Sequence, residues 1–115
     1  MAPLSWVEVK CEGDLPPSRV YHSAALCSQG AASGMIVIFG GRGVDNNPLG
    51  DSWGLVRHRN GCWDWMKAPQ KNTPTARYQH CSLFVGEIML LIGGRTNNVN
   101  EKLPLEVFDT ETSEW

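Results

Sequence analysis

One feature of the sequence, an internal repeat, constrains its fold more than any other. The residues MIVIFGGR at 35–42 recur as IMLLIGGR at 88–95, so a short apolar run ends twice in two glycines and an arginine. Upstream of each run, an Arg-x-x-His motif recurs 58 residues further along the chain, at 19–22 and at 77–80. Such self-similarity is the signature of repeat architectures, in which each unit buries its apolar surface against the next unit.

Three tryptophans and the repeat spacing define the length of the unit. Trp6, Trp65 and Trp115 stand at the ends of successive units, at steps of 59 and 50 residues. A unit of roughly fifty residues is typical of a four-stranded propeller blade. The glycine pairs lie 53 residues apart and the upstream motifs 58, so the first unit carries five extra residues, which we place as a loop in the polar stretch 27–34.

The pattern of apolar residues predicts strands throughout. The runs 35–39 and 87–92 are dominated by apolar residues, too short for buried helices and ended by glycine, which indicates strands covered on both faces. No stretch shows sustained helical periodicity, so we predict an all-β chain whose units are blades of four antiparallel strands. We place the other strands at 19–26 and 77–84 (first strand of each unit), at 53–58 and 105–109 (third), and at 63–66 and from 115 onward (fourth).

Seven repeated residues have a structural explanation. A glycine pair that ends a strand permits positive φ or close backbone approach where a side chain would collide. Tryptophans that recur at the unit spacing are expected to pack between neighbouring blades. The residues with these structural roles are Gly40, Gly41, Gly93, Gly94, Trp6, Trp65 and Trp115.

The order of these markers resembles the kelch repeat. Both units have the Arg-x-x-His motif and then an apolar segment ending in Gly-Gly. The kelch order continues with an apolar-Asp strand that leads to tryptophan, of which VFDTETSEW at 107–115 is the clearest copy. The resemblance covers nearly the whole chain and implies about two blades of a larger β-propeller. It places the last strand of a preceding blade at 1–10, blade 1 at 19–68, and blade 2, incomplete at its C-terminal end, at 77–115. It also implies a non-catalytic module that binds other proteins.

The first unit departs from this pattern and leads to a narrower resemblance. The approach to Trp65 is two residues longer, and the basic residues 57–59 replace the usual aspartate. Together with 51–55, this segment is similar to the kelch half of the plant and protist serine/threonine phosphatases that carry N-terminal kelch repeats. An alternative function is therefore the regulatory region of a phosphatase whose catalytic domain lies outside this chain. Gly13-Asp14 and Gly50-Asp51 lack the downstream histidine and asparagine of that family's metal motifs, so the chain itself is predicted not to be an enzyme.

The number of blades leads to an expectation about assembly. Propellers generally need four to eight blades to close a ring, and this chain supplies about two. If it folds alone, its open blade faces expose apolar strands that favour self-association. We therefore predict oligomerisation or marginal stability.

Charge, hydropathy and cysteine spacing argue against several classes of partner. A net charge of −2 gives no general attraction to nucleic acid. The chain has neither an apolar run of about eighteen residues nor an N-terminal signal, so neither a membrane partner nor secretion is predicted. Its cysteines (Cys11, Cys27, Cys62 and Cys81) show no paired short spacing, and no Asn-x-Ser/Thr acceptor accompanies them. Reduced thiols in an intracellular protein, cytoplasmic or nuclear, are favoured over a disulfide framework.

A metal site built from tyrosine and histidine is a further hypothesis, because some kelch proteins are copper oxidases. The candidates are Tyr21, His22, Tyr78 and His80. Adjacent residues of a strand point to opposite faces, and residues on neighbouring blades are separated by about 10 Å, whereas metal bonds are about 2 Å long. We therefore predict no metal and no cofactor, and expect the histidines to hydrogen-bond neighbouring loops.

Arginines are the better candidates for binding a protein partner, since a guanidinium group pairs bidentately with carboxylate or phosphate. The resemblance implies recognition by loops and strand ends around one mouth of the ring. The alternative is that repeated arginines tie one blade to the next. Loops 43–50 and 96–103, which differ between the units, form a second candidate surface. The candidate partner-binding residues are Arg19, Tyr21, Arg42, Arg77, Tyr78 and Arg95.

Overall fold

The chain folds as two antiparallel β-sheets. The structure, a computed structural model, describes residues 4–115, and within that part it contains strands and no helix. It therefore has no helix there that is long and apolar enough to span a membrane. In order, the first sheet is β1 (Ser23–Leu26), β2 (Ile36–Phe39), β3 (Ser52–Arg57) and β4 (Trp63–Lys67), and the second is β5 (Cys81–Val85), β6 (Ile88–Ile92) and β7 (Glu106–Asp109). The predicted all-β class and the antiparallel blade architecture are confirmed.

The first strand of each blade is shorter than predicted. Strands were expected from 19 and from 77, but β1 begins at Ser23 and β5 at Cys81. Tyr21 and Gln79, which occupy equivalent positions in the two units, have φ values of 60° and 56°. A left-handed residue turns the chain out of the ladder, so each strand is interrupted there.

The extra residues of the first unit lie in the connection between β1 and β2. This connection spans 27–35, whereas β5 and β6 are joined by residues 86–87 alone. Two backbone hydrogen bonds close the longer loop, from Cys27 N to Met35 O (2.9 Å) and from Gly34 N to Cys27 O (2.7 Å). The loop is therefore an ordered part of blade 1.

The two blades pack face to face through aromatic and aliphatic side chains. Phe39 of blade 1 lies edge-on against Trp115, with ring centroids 5.2 Å apart, and Trp115 also contacts Phe108 at 5.0 Å. Val37 and Met89 are buried in the same cluster. Full burial of each such side chain stabilises the fold by about 1.5–3 kcal/mol. Trp115 therefore packs between blades.

Of the strand expected at 1–10, the described part has no strand structure. Residues 1–3 lie outside the described residues, and 4–10 have no strand structure. Trp6 is fully exposed, so it packs between no blades in this structure. The segment makes one parallel bridge, from Cys11 to Trp63, and an isolated bridge cannot satisfy the backbone groups of a whole strand. Trp65, half-buried on β4, faces a shallow groove that is also lined by residues 8–11.

The glycine pairs end β2 and β6 in a conformation that other residues rarely adopt. All four glycines have φ between 66° and 100°. A Cβ on Gly40 would lie 2.6 Å from the carbonyl oxygen of Arg77, and one on Gly94 would lie 2.8 Å from His80 Cβ. Close backbone approach and positive φ therefore both require glycine here.

Candidate partner-binding surface

Arg19 lies inside blade 1 and is held there by a carboxylate. Its Nη1 and Nη2 donate to the two oxygens of Asp51 at 2.7 and 2.9 Å, and Nη1 also donates to the carbonyl oxygen of Gly40 at 3.1 Å. Trp53 Nε1 donates to the same carboxylate at 2.8 Å. Although burial raises the pKa of Asp51, the hydrogen bonds from Arg19 and Trp53 hold it below its usual value. The Arg19 side chain is only 4% exposed, so its guanidinium group is not available to a partner.

Arg77 occupies the equivalent position in blade 2 without a carboxylate. Its Nη1 donates to the carbonyl oxygens of Gly93 (3.1 Å) and Pro104 (3.3 Å), and Nη2 is buried with no partner. In the strand registers, Pro104 stands where blade 1 has Asp51. Burial lowers the pKa of Arg77, and the charges of Glu106 and Glu101 oppose that shift.

The structure argues against Arg19 and Arg77 as partner-binding residues, because both side chains are buried. Arg77 is fully buried, and both guanidinium groups satisfy carbonyl oxygens at the ends of strands. Each side chain ties the segment before the first strand to the end of the second strand of its own blade. The alternative stated from the sequence, arginines that tie one blade to the next, is therefore not what these side-chain contacts show.

The four remaining candidates come together around one tyrosine ring, and we call Tyr21, Arg42, Tyr78 and Arg95 the Tyr78 cluster. The guanidinium carbon of Arg42 lies 5.1 Å from the Tyr78 ring centroid, and that of Arg95 lies 5.8 Å from it. The Tyr21 ring is 6.4 Å away. Tyr78 is 7% exposed, whereas Tyr21 is 53% exposed. The cluster therefore has a buried aromatic centre and an accessible rim.

Backbone pairing fixes the cluster across both blades. Val20 and Arg42 exchange hydrogen bonds at 3.0 and 2.7 Å, and Tyr78 and Arg95 exchange hydrogen bonds at 3.0 and 2.9 Å. Gln79 N donates to Tyr21 O at 2.9 Å and so joins the two units. The side chains thus stand on paired backbone rather than on free loop.

The two arginines of the cluster have no acidic partner within residues 4–115. Arg42 Nε donates to the carbonyl oxygen of Asn46 at 3.3 Å, and Arg95 Nη1 contacts Gln79 Oε1 at 3.4 Å. The ion pairs of this part of the chain involve other residues. Each cation–π contact at an exposed site contributes about 0.5–1 kcal/mol, which orients the guanidinium groups without neutralising them.

The variable loops adjoin the cluster. Loop 43–50 follows Arg42 directly, and loop 96–103 follows Arg95. The acidic side chains of these loops are engaged locally: Asp45 accepts hydrogen bonds from Asn47, and Glu101 accepts one from Thr96 Oγ1 at 3.1 Å. Both candidate surfaces therefore lie at one edge of the blade pair.

His80 lies between the blades rather than in this surface. Its Nε2 is 2.8 Å from Ser23 Oγ and 3.0 Å from the carbonyl oxygen of Phe39. A carbonyl oxygen can only accept a hydrogen bond, so Nε2 must carry the proton that it donates to Phe39. Nδ1, which is buried without a partner among the described residues, is then unprotonated. Burial lowers the pKa of His80 to about 4. Within residues 4–115, no three His, Cys, Asp or Glu side chains are grouped as metal ligands would be.

The buried imidazole makes the stability of the chain depend on pH. Because the pKa of His80 is about 4 in the folded state and about 6.5 in the unfolded state, the unfolded chain binds the extra proton. Stability contributed by neutral His80 is present above pH 6.5, falls between pH 6.5 and 4, and is gone below pH 4. We expect His80→Gln to flatten the decline of the urea midpoint over this range, whereas Asn97→Gln, which changes no titratable group at an exposed position, keeps the slope of the wild type. Equal slopes for both variants and the wild type would refute this role.

Comparison with known proteins agrees with this geometry. Two successive antiparallel sheets, one of four strands and one of three, with Arg-x-x-His, Gly-Gly and tryptophan at fixed places, are typical of the blades of a propeller. The model of the KLHDC2/KLHL20/DRC7 Kelch-repeats domain matches residues 1–115, and the chain belongs to the kelch-repeat family. Kelch domains mediate protein–protein interactions, and this chain is a non-catalytic module of that kind.

Several characterised proteins contain a similar segment. The serine/threonine-protein phosphatase BSL2 of Arabidopsis thaliana is 33% identical over 116 residues, which cover 98% of this chain and 11% of that protein. Dynein regulatory complex subunit 7 of Chlamydomonas reinhardtii is 32% identical over 92 residues (79% of this chain, 7% of that protein). Kelch domain-containing protein 2 of Bos taurus is 31% identical over 96 residues (82% and 22%). The chain thus spans less than a quarter of the length of each of these relatives.

Proposed function

We propose that the Tyr78 cluster binds an acidic segment of a protein partner. The observation that carries the proposal is that Arg42 and Arg95 both lie within 6 Å of the Tyr78 ring centroid, yet neither is paired with a carboxylate. An unpaired guanidinium group at a surface favours an anionic ligand, since it offers two parallel donors to a carboxylate.

The surroundings of the two arginines suit a protein ligand. Tyr21 adds an exposed aromatic face at the rim, and tyrosine and arginine are the residue types enriched at interface hot spots. Loops 43–50 and 96–103 flank the cluster and differ between the units, so they supply contacts that distinguish one partner from another. The fixed backbone pairing of Arg42 and Arg95 lowers the ordering cost of binding.

A labelled peptide of alternating glutamate and glycine tests the proposal. Measured by fluorescence anisotropy at low salt, we expect it to bind the chain, and we expect the double variant Arg42→Gln/Arg95→Gln to weaken binding at least about tenfold. The physical reason is the loss of two charge-assisted contacts of about 1 kcal/mol or more each.

A charge-matched control separates a site from general attraction. The double variant Arg57→Gln/Arg59→Gln removes the same charge at the exposed tip between β3 and β4, and we expect it to change affinity less than about twofold. A glutamine-glycine peptide should not bind. Equal weakening by both double variants, or no binding by the folded wild type, would contradict the proposal.

A second candidate is the kelch region of a serine/threonine phosphatase. It is supported by 33% identity to the phosphatase BSL2 over 98% of this chain, a match that covers only the kelch part of that protein. Sequencing the transcript that encodes the chain tests this candidate. A reading frame that continues without phosphatase metal motifs would rule it out.

We also propose self-association and an intracellular, cytoplasmic or nuclear, location. Self-association is supported by the outer face of blade 2, where Leu83, Val85, Ile92 and Val107 are substantially exposed. Light scattering on the purified chain measures its mass directly, and a folded monomer at high concentration would refute self-association.

The proposed intracellular location is supported by four free cysteines, and organelle fractionation tests it.

A further inference from the structure

A small apolar cavity lies between the outer strands of the two blades, away from the Tyr78 cluster. Its volume is about 160 Å³. It shares no residue with the proposed partner-binding surface. The residues that line it come from both blades and are mainly apolar: Met35, Val37, Gly54, Met66, Ala68 and Phe108. It is partly open to solvent, since Met66 and Lys67 at its edge are exposed.

Two residues of the first unit, Gly54 and Met35, shape this pocket. Gly54 stands in β3 where the second unit has Val107, as the pairing of Val37 with Gly54 and of Leu90 with Val107 shows. The space left by the missing side chain is partly entered by Met35, whose Sδ lies 2.5 Å from the Cβ position of Gly54. Met35 belongs to the longer β1–β2 connection of the first unit.

One polar group in the wall has an unmet hydrogen bond. Ser52, which is 1% exposed, lines the cavity, and its Oγ has no partner. Buried hydroxyl groups are nearly always hydrogen-bonded, and one left unpaired costs about 1–3 kcal/mol. Lys67, Thr110 and Ser113 also line the pocket, but of these four residues only Ser52 has a buried side-chain oxygen without a partner among the described residues. A buried hydroxyl of this kind in a mainly apolar pocket is suited to a ligand with a single polar atom.

We propose that this cavity binds a free aromatic molecule of about the size of phenol, with its hydroxyl group bonded to Ser52 Oγ. An apolar cavity of about 150 Å³ accommodates a benzene ring. Met35 and Met66 supply thioether sulfurs, which contact aromatic rings favourably, and Phe108 supplies a ring face or edge. The two methionine side chains are flexible, so they admit a planar ring without displacement of the strands.

Methionine methyl NMR with phenol and benzene as probes tests the site. In the chain labelled at its methionine methyl groups, we expect saturable shifts of the Met35 and Met66 resonances with both probes. The resonance of Met89, buried in the core, reports that the protein is folded. Ser52→Ala is expected to weaken phenol binding about fivefold, because one hydrogen bond is lost, and to leave benzene binding unchanged.

A filling variant and its matched control complete the experiment. Ala68→Leu places a larger side chain in the cavity, and we expect it to reduce the affinity for both probes at least about tenfold. Ala24→Leu makes the same change at an exposed position of β1 and should leave binding unchanged. The proposal is overturned if the folded wild type shows no saturable shift, if Ala68→Leu binds both probes as the wild type does, or if Ser52→Ala leaves phenol binding unchanged.

Discussion

Replacement of Asp51 by alanine is expected to lower the free energy of unfolding by about 3–5 kcal/mol, because it leaves a buried guanidinium group without its counter-ion. Arg19 would keep the carbonyl oxygens of Gly40 and Pro17 but lose both contacts to the carboxylate. Trp53 Nε1 would lose its acceptor as well. A domain of this size has about 5–15 kcal/mol of stability in total, so the variant approaches the unfolding threshold.

Urea denaturation at 25 °C measures this effect. At the upper end of the expected destabilisation, the cooperative unfolding transition is lost. Asp14→Ala, which removes an exposed carboxylate in the N-terminal segment, is the control and should change stability by less than about 0.5 kcal/mol. The double variant Arg19→Met/Asp51→Ala should be more stable than Asp51→Ala alone, because it no longer buries an unpaired charge. If the Asp51→Ala variant is as stable as the control, the Arg19–Asp51 ion pair does not hold blade 1 together.

Replacement of Phe39 by alanine is the second substitution with a large expected effect. Phe39 is fully buried and contacts His80 and Trp115 of the other blade with ring centroids 5.4 and 5.2 Å away. Removing such a ring costs about 3–5 kcal/mol, through lost burial and through the cavity left behind. Because the lost contacts are those between blades, we expect the blades to lose their joint unfolding transition.

Urea unfolding followed by circular dichroism tests this expectation, with Leu26→Ala as the control. Leu26 is on β1, but its side chain is largely exposed on the face away from blade 2, so its truncation should cost less than about 1 kcal/mol. Similar losses for the two variants would mean that the interface between blades contributes little to the stability of the chain.

The repeat made the strands predictable because it marks the same physical requirement twice. A short apolar run that ends in two glycines is too short for a buried helix, and β2 and β6 lie where the sequence predicts strands. The third strand of both units and the fourth strand of the first followed from the markers that come after these runs, whereas the fourth strand predicted from 115 onward is not among the strands of residues 4–115. By contrast, the start of β1 and β5 depends on the φ angles of Tyr21 and Gln79, and neither residue type signals a left-handed conformation.

The roles of the four arginines could not be separated from the sequence alone. Arg19 and Arg77 each begin an Arg-x-x-His motif. Only the strand pairing shows that Arg19 binds Asp51 and that Pro104 occupies the equivalent position beside Arg77. In the sequence, Asp51 belongs to the segment 51–55 that resembles the kelch phosphatases and to a Gly-Asp pair, and neither pattern predicts an ion pair with Arg19. Arg42 and Arg95 converge on Tyr78 because two isolated bridges bring distant segments together. Trp6 matched the repeat spacing but packs between no blades in this structure.

Amide NMR spectra of the labelled chain, titrated with the glutamate-glycine peptide, show whether the Tyr78 cluster, and not any other basic surface of the described residues, binds acidic protein segments. Binding at the cluster predicts saturable shifts at Tyr21, Arg42, Gln79 and Arg95, with residues 58–62 at the β3–β4 tip unaffected. Shifts confined to that tip, or no shifts in a well-folded chain, would contradict it.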